Sequence, residues 1–111
     1  MPQGHRLSGQ STYKRIFTEG KRCRSDWLGL VVAPNRLSYS RFGCTVRRSV
    51  FKTAVARNQM KRWLREAYKL QSSRVPKGWD LIVVVYRNPK ETSLKIIEYK
   101  LCNLLKTINL Q

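Results

Sequence analysis

Residues 80–86 read DLIVVVY, an unbroken aliphatic, β-branched run with no polar alternation. Such a run marks a strand covered on at least one face and central in its sheet. The other elements arrange themselves around it. Residues 27–33 (WLGLVVA) form a second β-prone run that ends at the turn pair Pro34-Asn35. Residues 41–46 (RFGCTV) read as its antiparallel neighbour across a polar loop, and residues 21–25 can add a short strand. Ser11 or Thr12 can cap a first helix holding Tyr13, Ile16 and Phe17, with Gly20 as its stop. A long helix is predicted over 50–70, with Ser49 as its cap. After the Asn88-Pro89 turn, Thr92 or Ser93 caps a last helix bearing Leu94, Ile97, Leu101, Leu104, Leu105 and Ile108. The predicted order is α-β-β-β-α-β-α, an α+β fold with a four-stranded, mainly antiparallel sheet packed by helices. The chain has 111 residues and no internal repeat, so one domain over 10–108 is expected, preceded by a mobile basic arm over 1–9.

Charge narrows the function. Lys and Arg number 23 against six Asp and Glu, a formal net charge of +17. Self-repulsion on that scale destabilises a compact domain unless a polyanion binds it. The apolar fraction of 41%, with three Trp, five Tyr and three Phe, argues for a folded core rather than a basic tail. No apolar run is long enough to cross a bilayer and no leader-like segment opens the chain, so a soluble cytoplasmic domain is expected, with no membrane partner. Cys23, Cys44 and Cys102 are widely spaced and read as buried free thiols. With one histidine, His5, the inventory supplies neither a zinc site nor a hydrolase triad. Asp26, Asp80, Glu19, Glu66, Glu91 and Glu98 are too scattered for paired-carboxylate or two-metal chemistry. Catalytic residues are therefore not expected, and any catalysis must be carried by a partner.

The segment VFKTAVARNQMKRWLREAYKL concentrates the signal. At helical spacing Ala56, Met60, Trp63, Leu64, Ala67 and Leu70 share one arc, and Arg57, Asn58, Lys61, Arg62, Arg65 and Lys69 the opposite one. Ala54 lies within the polar arc, where a small side chain lets a bulky partner approach, and Glu66 is placed to pair with Arg62. A solvated helix usually mixes charge signs, gaining ~0.2–0.5 kcal/mol per i, i+4 pair. Here Arg57, Lys61 and Arg65 stand at successive i, i+4 positions and repel, so the face is built for an anion, with arginine forks suited to phosphate. Tyr13 and Phe17, one turn apart, are either core anchors or a stacking platform for unpaired bases.

These residues carry a resemblance. TAVARNQMKRWLREAYK resembles the signature helix of the bacterial ribonuclease P protein subunit, A-V-x-R-N-R-x-K-R-x-x-R, with Ala54, Val55, Arg57, Asn58, Lys61, Arg62 and Arg65 matching. HRLSGQSTYKRIFTEG resembles that family's first helix, FGCTVRR its G-x-x-V-S-K-K strand end, and DLIVVVY its last strand; together the match spans about residues 6–107. Gln59 replaces the second Arg of R-N-R, the segment between Val46 and Ala54 is one residue longer, and Lys52 or Thr53 stands where Gly is common. The resemblance implies a protein that binds a large catalytic RNA and helps it remove the 5′ leader of precursor tRNA. It assigns Arg57, Asn58, Lys61, Arg62, Arg65, Lys69 and Ala54 to the RNA subunit. Tyr13, Phe17, Arg47 and Arg48 fall to the leader. Magnesium associated with RNA and substrate is implied, with no protein-bound organic cofactor. It also implies a left-handed crossover from strand 41–46 to strand 80–86, against the general preference. The competing readings are a ribosomal or other structured-RNA binder of similar architecture, a protein-only nuclease, and a membrane-surface helix.

Overall fold

The structure, a computed structural model, describes residues 5–110. Its elements are α1 (Gln10–Glu19), β1 (Lys21–Ser25), β2 (Leu28–Pro34), β3 (Arg41–Val46), α2 (Ala54–Gln71), a 3-10 turn Ser72–Arg74, β4 (Trp79–Val85) and α3 (Leu94–Ile108). The predicted order holds, as does the single-domain α+β architecture. Ser93 caps α3 by accepting a hydrogen bond from the Ile96 N–H. α1 begins earlier than expected, from Gly9 at φ 90° with no side-chain cap, and ends where the Gly20 N–H reaches the Ile16 carbonyl.

Strand order is β1-β2-β4-β3. β1 and β2 form a tight hairpin closed at Ser25 and Leu28, and β2 then pairs antiparallel with β4. The expectation that β3 lies antiparallel beside β2 is corrected: β3 pairs parallel with β4, on the far edge. β2 offers only two edges, and the hairpin takes one. The other goes to β4, whose residues from Asp80 to Val85 are all buried, as a strand without polar alternation requires.

The sheet is covered unequally. Leu28, Leu30 and Val32 of β2, with Leu81, Val83 and Val85 of β4, face α2 and α3 and join the main core. Val31, Ala33, Ile82 and Val84 point the other way and pack under α1 with Ile16 and Leu7. Of the arm expected over 1–9, residues 1–4 lie outside the described residues. Its later part is docked: the Leu7 N–H bonds the Phe42 carbonyl at 2.9 Å, and Leu7 is 7% exposed. The burial of one leucine and a bridge to the open edge of β3 explain why this part does not hang free.

One buried carboxylate ties α1 to the ends of β2, β3 and β4. Asp80 is the second residue of the central strand and is fully buried. Arg41 donates to both of its oxygens at 2.8 Å, Arg15 of α1 to Oδ2 at 2.5 Å, and the Asn35 amide to Oδ1 at 2.8 Å. Burial pushes this carboxyl upward, but the hydrogen bonds from Arg41 and Asn35, the Arg41 charge and the Arg15 bond outweigh it and hold it below the usual range.

Candidate nucleic-acid interface

The long basic helix starts later than its pattern predicts. Thr53, not Ser49, caps α2, its hydroxyl accepting from the Ala56 N–H at 3.1 Å. Both residues can cap, and burial of Phe51 in the main core decides between them by holding residues 50–53 outside the helix. The Val50 and Phe51 N–H groups turn back onto the Arg47 carbonyl. Arg57 donates from Nη1 to the Phe51 carbonyl at 2.7 Å, so this cation also braces the entry to its own helix.

Met60, Leu64 and Ala67 are buried as expected, while Ala56 and Trp63 are half-buried against the core. Leu70 departs from the predicted apolar arc and is 56% exposed, and Tyr68 is buried instead. The Tyr68 ring stacks on Phe42 with centroids 4.3 Å apart, and that aromatic contact turns the buried face toward β3. The basic arc is thereby split. Arg57, Lys61 and Arg65 run half-buried along the flank of the helix, while Ala54, Asn58, Arg62 and Lys69 are exposed outward. Glu66 pairs with Lys69 at 3.9 Å rather than with Arg62. Among the described residues, Arg57, Lys61, Arg62 and Arg65 form no ion pair with a carboxylate.

The inner row reaches the first helix. Lys61, Arg65, Arg6 and Tyr13 line a cavity of about 140 Å³ floored by Gly43. A Cβ on Gly43 would overlap the Tyr13 hydroxyl, so glycine is what lets the ring lie against β3. The pKa of that hydroxyl is raised, by burial first and the neighbouring Cys44 second. Burial also raises the Cys44 thiol, against the opposing charges of Arg65 and Lys61. All three cysteines are free and half-buried rather than fully enclosed.

Tyr13 and Phe17 are both half-buried against the α1-side cluster, so each combines an anchoring contact with an open part. Arg22 lies over the Phe17 ring at 5.5 Å and donates to the Phe17 carbonyl. Arg47 and Arg48 are exposed just beyond β3 and line no part of the Tyr13 cavity. Tyr86 was missed by the sequence reading. It packs into the same cluster as the α1 rings, at the end of the parity series Ile82, Val84, Tyr86, and that two-residue period was the available signal. Arg6 was missed as well, because nothing in a short basic arm marks the residue that docks.

The donor set does not fit a magnesium ion held by the protein. Among the described residues no three His, Cys, Asp or Glu side chains converge. Asp80 is surrounded by Arg15, Arg41 and Asn35, and Asp26 is paired with Arg87. No described helix is long and apolar enough to cross a membrane.

The chain matches known proteins in sequence and in fold. The family model for Ribonuclease P matches residues 1–109. The ribonuclease P protein component of Thermotoga maritima is 35% identical over 107 residues, covering 93% of this chain and 91% of that protein. Its counterpart in a Picosynechococcus species is 31% identical over 105 residues, covering 95% and 90%. The solved structure of the RNase P protein from Thermotoga maritima superposes with a TM-score of 0.81 at 32% identity, over 94% of this chain and 97% of that one. The Staphylococcus aureus RNase P protein gives 0.84 over 96% of both chains at 24% identity, a likeness of fold.

Proposed function

The chain belongs to the ribonuclease P protein family, and from that premise we propose that it is the protein subunit of a bacterial ribonuclease P ribonucleoprotein. In this reading the outward row of α2, with Asn58, Arg62, Lys69 and the small Ala54, meets the RNA subunit together with Arg57, Lys61 and Arg65. The groove beside α1, with Tyr13 and Phe17, takes the single-stranded 5′ leader of precursor tRNA, and Arg47 and Arg48 stand at its β3 end. The observation that carries the proposal is the continuity between the two surfaces: Lys61 and Arg65 of the basic helix share one cavity with Tyr13 of the first helix. A protein gripping both RNAs there holds the leader at a fixed place relative to the ribozyme core. Metal-dependent hydrolysis belongs to the RNA partner and its bound magnesium, and the cytoplasm is where both RNAs would be met.

Each group in this reading has a defined task. Arginine guanidinium groups fork onto phosphate oxygens and lysines add less directional charge, neutralising the backbone repulsion between leader and ribozyme. Aromatic faces stack on unpaired bases, which mature tRNA lacks at its 5′ end.

Reconstitution tests the proposal. Purified protein added to a bacterial ribonuclease P RNA is expected to raise precursor-tRNA cleavage at low magnesium, where the RNA alone is slow. Protein without RNA is expected to cut nothing. No stimulation by folded protein would defeat the assignment.

A second measurement addresses the leader. Phe17→Ala is expected to weaken holoenzyme binding to precursor tRNA relative to mature tRNA by roughly 1–3 kcal/mol, the range for one lost base stack. Tyr13→Ala should do the same, whereas Tyr13→Phe keeps the ring and loses only the hydroxyl. Equal losses for both RNAs would put the rings outside the leader path.

A further inference from the structure

β1 carries two arginines that neither the α2 interface nor the Tyr13 cavity uses. Arg22 and Arg24 alternate with Cys23, so they project onto the α1 side of the sheet while Cys23 turns toward α3, its thiol facing the Leu104 carbonyl. Both arginines are exposed. Neither is neutralised by a carboxylate among the described residues; the nearby Asp26 side chain pairs with Arg87. Each is instead held by its own chain. Arg22 lies over Phe17 and donates to the Phe17 carbonyl, and Arg24 lies 3.9 Å over the Tyr86 ring with its Nε bonded to the Asp26 carbonyl at 3.0 Å.

The second platform rests on a glycine. Gly29 stands directly across from Arg24 in the β1–β2 ladder and beside Val84 of β4. A Cβ there would meet Tyr86 Cε2 at 2.5 Å, so only glycine lets the ring lie down across β2 beneath the guanidinium. Tyr86 is further fixed by its N–H, which bonds the Trp27 carbonyl at 2.9 Å. Two charged planes are thus prepaid in conformational entropy, each supported by an aromatic ring and with hydrogen-bond donors left for an anion.

Their position gives the ligand. Arg22 and Arg24 lie on the same face as Tyr13 and Phe17 but at the opposite edge from β3, three strand spacings or ~14 Å away. An extended single strand entering beside Arg65 and Tyr13 and passing Phe17 would arrive at them. We infer that Arg22 and Arg24, mounted on Phe17 and Tyr86, form a phosphate-binding platform for the distal part of the precursor-tRNA leader. The inference rests on the leader groove proposed above and adds a site to it.

The test uses holoenzyme reconstituted with a bacterial ribonuclease P RNA. Affinity is measured for mature tRNA and for precursor tRNAs with leaders of two, five and ten nucleotides. Wild type is expected to gain affinity at each step. Arg22→Gln with Arg24→Gln is expected to match wild type on the shortest leader and to lose roughly five- to tenfold per arginine on the longest, with a salt slope reduced by ~0.7 for each lost contact. Gly29→Ala removes no charge, yet by lifting Tyr86 it should reproduce part of that loss, and Tyr86→Ala asks the same if Gly29→Ala does not fold. A folded double variant with the wild-type dependence on leader length would overturn the platform while leaving the groove intact. A wild type that binds all precursors no better than mature tRNA would overturn the groove, and the platform with it.

Discussion

Asp80→Asn is expected to remove about 3 kcal/mol of folding stability, read as a lowered urea midpoint and melting temperature. Breaking one partner out of a buried ion pair costs ~3–5 kcal/mol, because charges remain without their counter-ion. Arg15 and Arg41 keep 34% and 26% of their side chains in solvent, which sets the expectation at the lower end. A small domain has only ~5–15 kcal/mol in total, so the loss is a large share. The effect should also reach function, since Arg15 is the ionic tie between α1 and the central strand. Acid gives an independent check. The Asp80 carboxyl is held below its usual value in the fold, so the unfolded chain takes up its proton first. Its contribution is therefore complete above the ordinary Asp value of ~3.9 and drains as pH falls through the depressed folded value. The parent should lose stability there and Asp80→Asn should lose less. A variant with the parent's midpoint and acid profile would show that the arginines find equal solvation without the carboxylate.

Arg62→Ala combined with Arg65→Ala is expected to weaken binding to the ribonuclease P RNA about a hundredfold, at ~1.5 kcal/mol for each lost charge-assisted contact. The salt slope should fall by roughly 1.4–1.8 for the two phosphates released. Arg62 is the cleaner probe of the pair, being exposed and without a carboxylate partner among the described residues. Arg57→Ala mixes two effects, because its guanidinium also holds the Phe51 carbonyl. It is expected to lower thermal stability as well as RNA affinity, while the Arg62/Arg65 variant keeps the parent's melting temperature. Unchanged affinity and slope in that folded double variant would count against α2 as the docking surface.

Much of this arrangement was legible in local pattern. The unbroken apolar run gave the central strand, and the spacing from Leu94 to Ile108 gave α3 with its Ser93 cap. What pattern could not give was pairing. Residues 41–46 have the same composition whether they lie beside β2 or β4, and only the prior claim of β1 on one edge of β2 decides. Helix boundaries failed for a related reason: Ser49 and Thr53 are equivalent as caps, and Phe51 chooses between them by entering the core. Within the site, the cationic face of α2 was evident, but its division into flanking and outward rows depends on the Tyr68–Phe42 stack. The Asp80 cluster joins residues up to 65 positions apart and left no local trace.

The two margins of the sheet are finished in different ways. At β3 part of the exposed backbone is occupied by the bridge from Arg6 to Phe42, with the Leu7 N–H on the Phe42 carbonyl. At β1 no strand among the described residues pairs with the outer side, and Lys21, Arg22 and Arg24 stand there as three like charges in five residues. Two copies that tried to continue their sheets through these margins would bring six cations together, a repulsion that backbone hydrogen bonds at a strand end do not offset. The clustered charge therefore opposes fibrillar pairing of one subunit with the next through this margin.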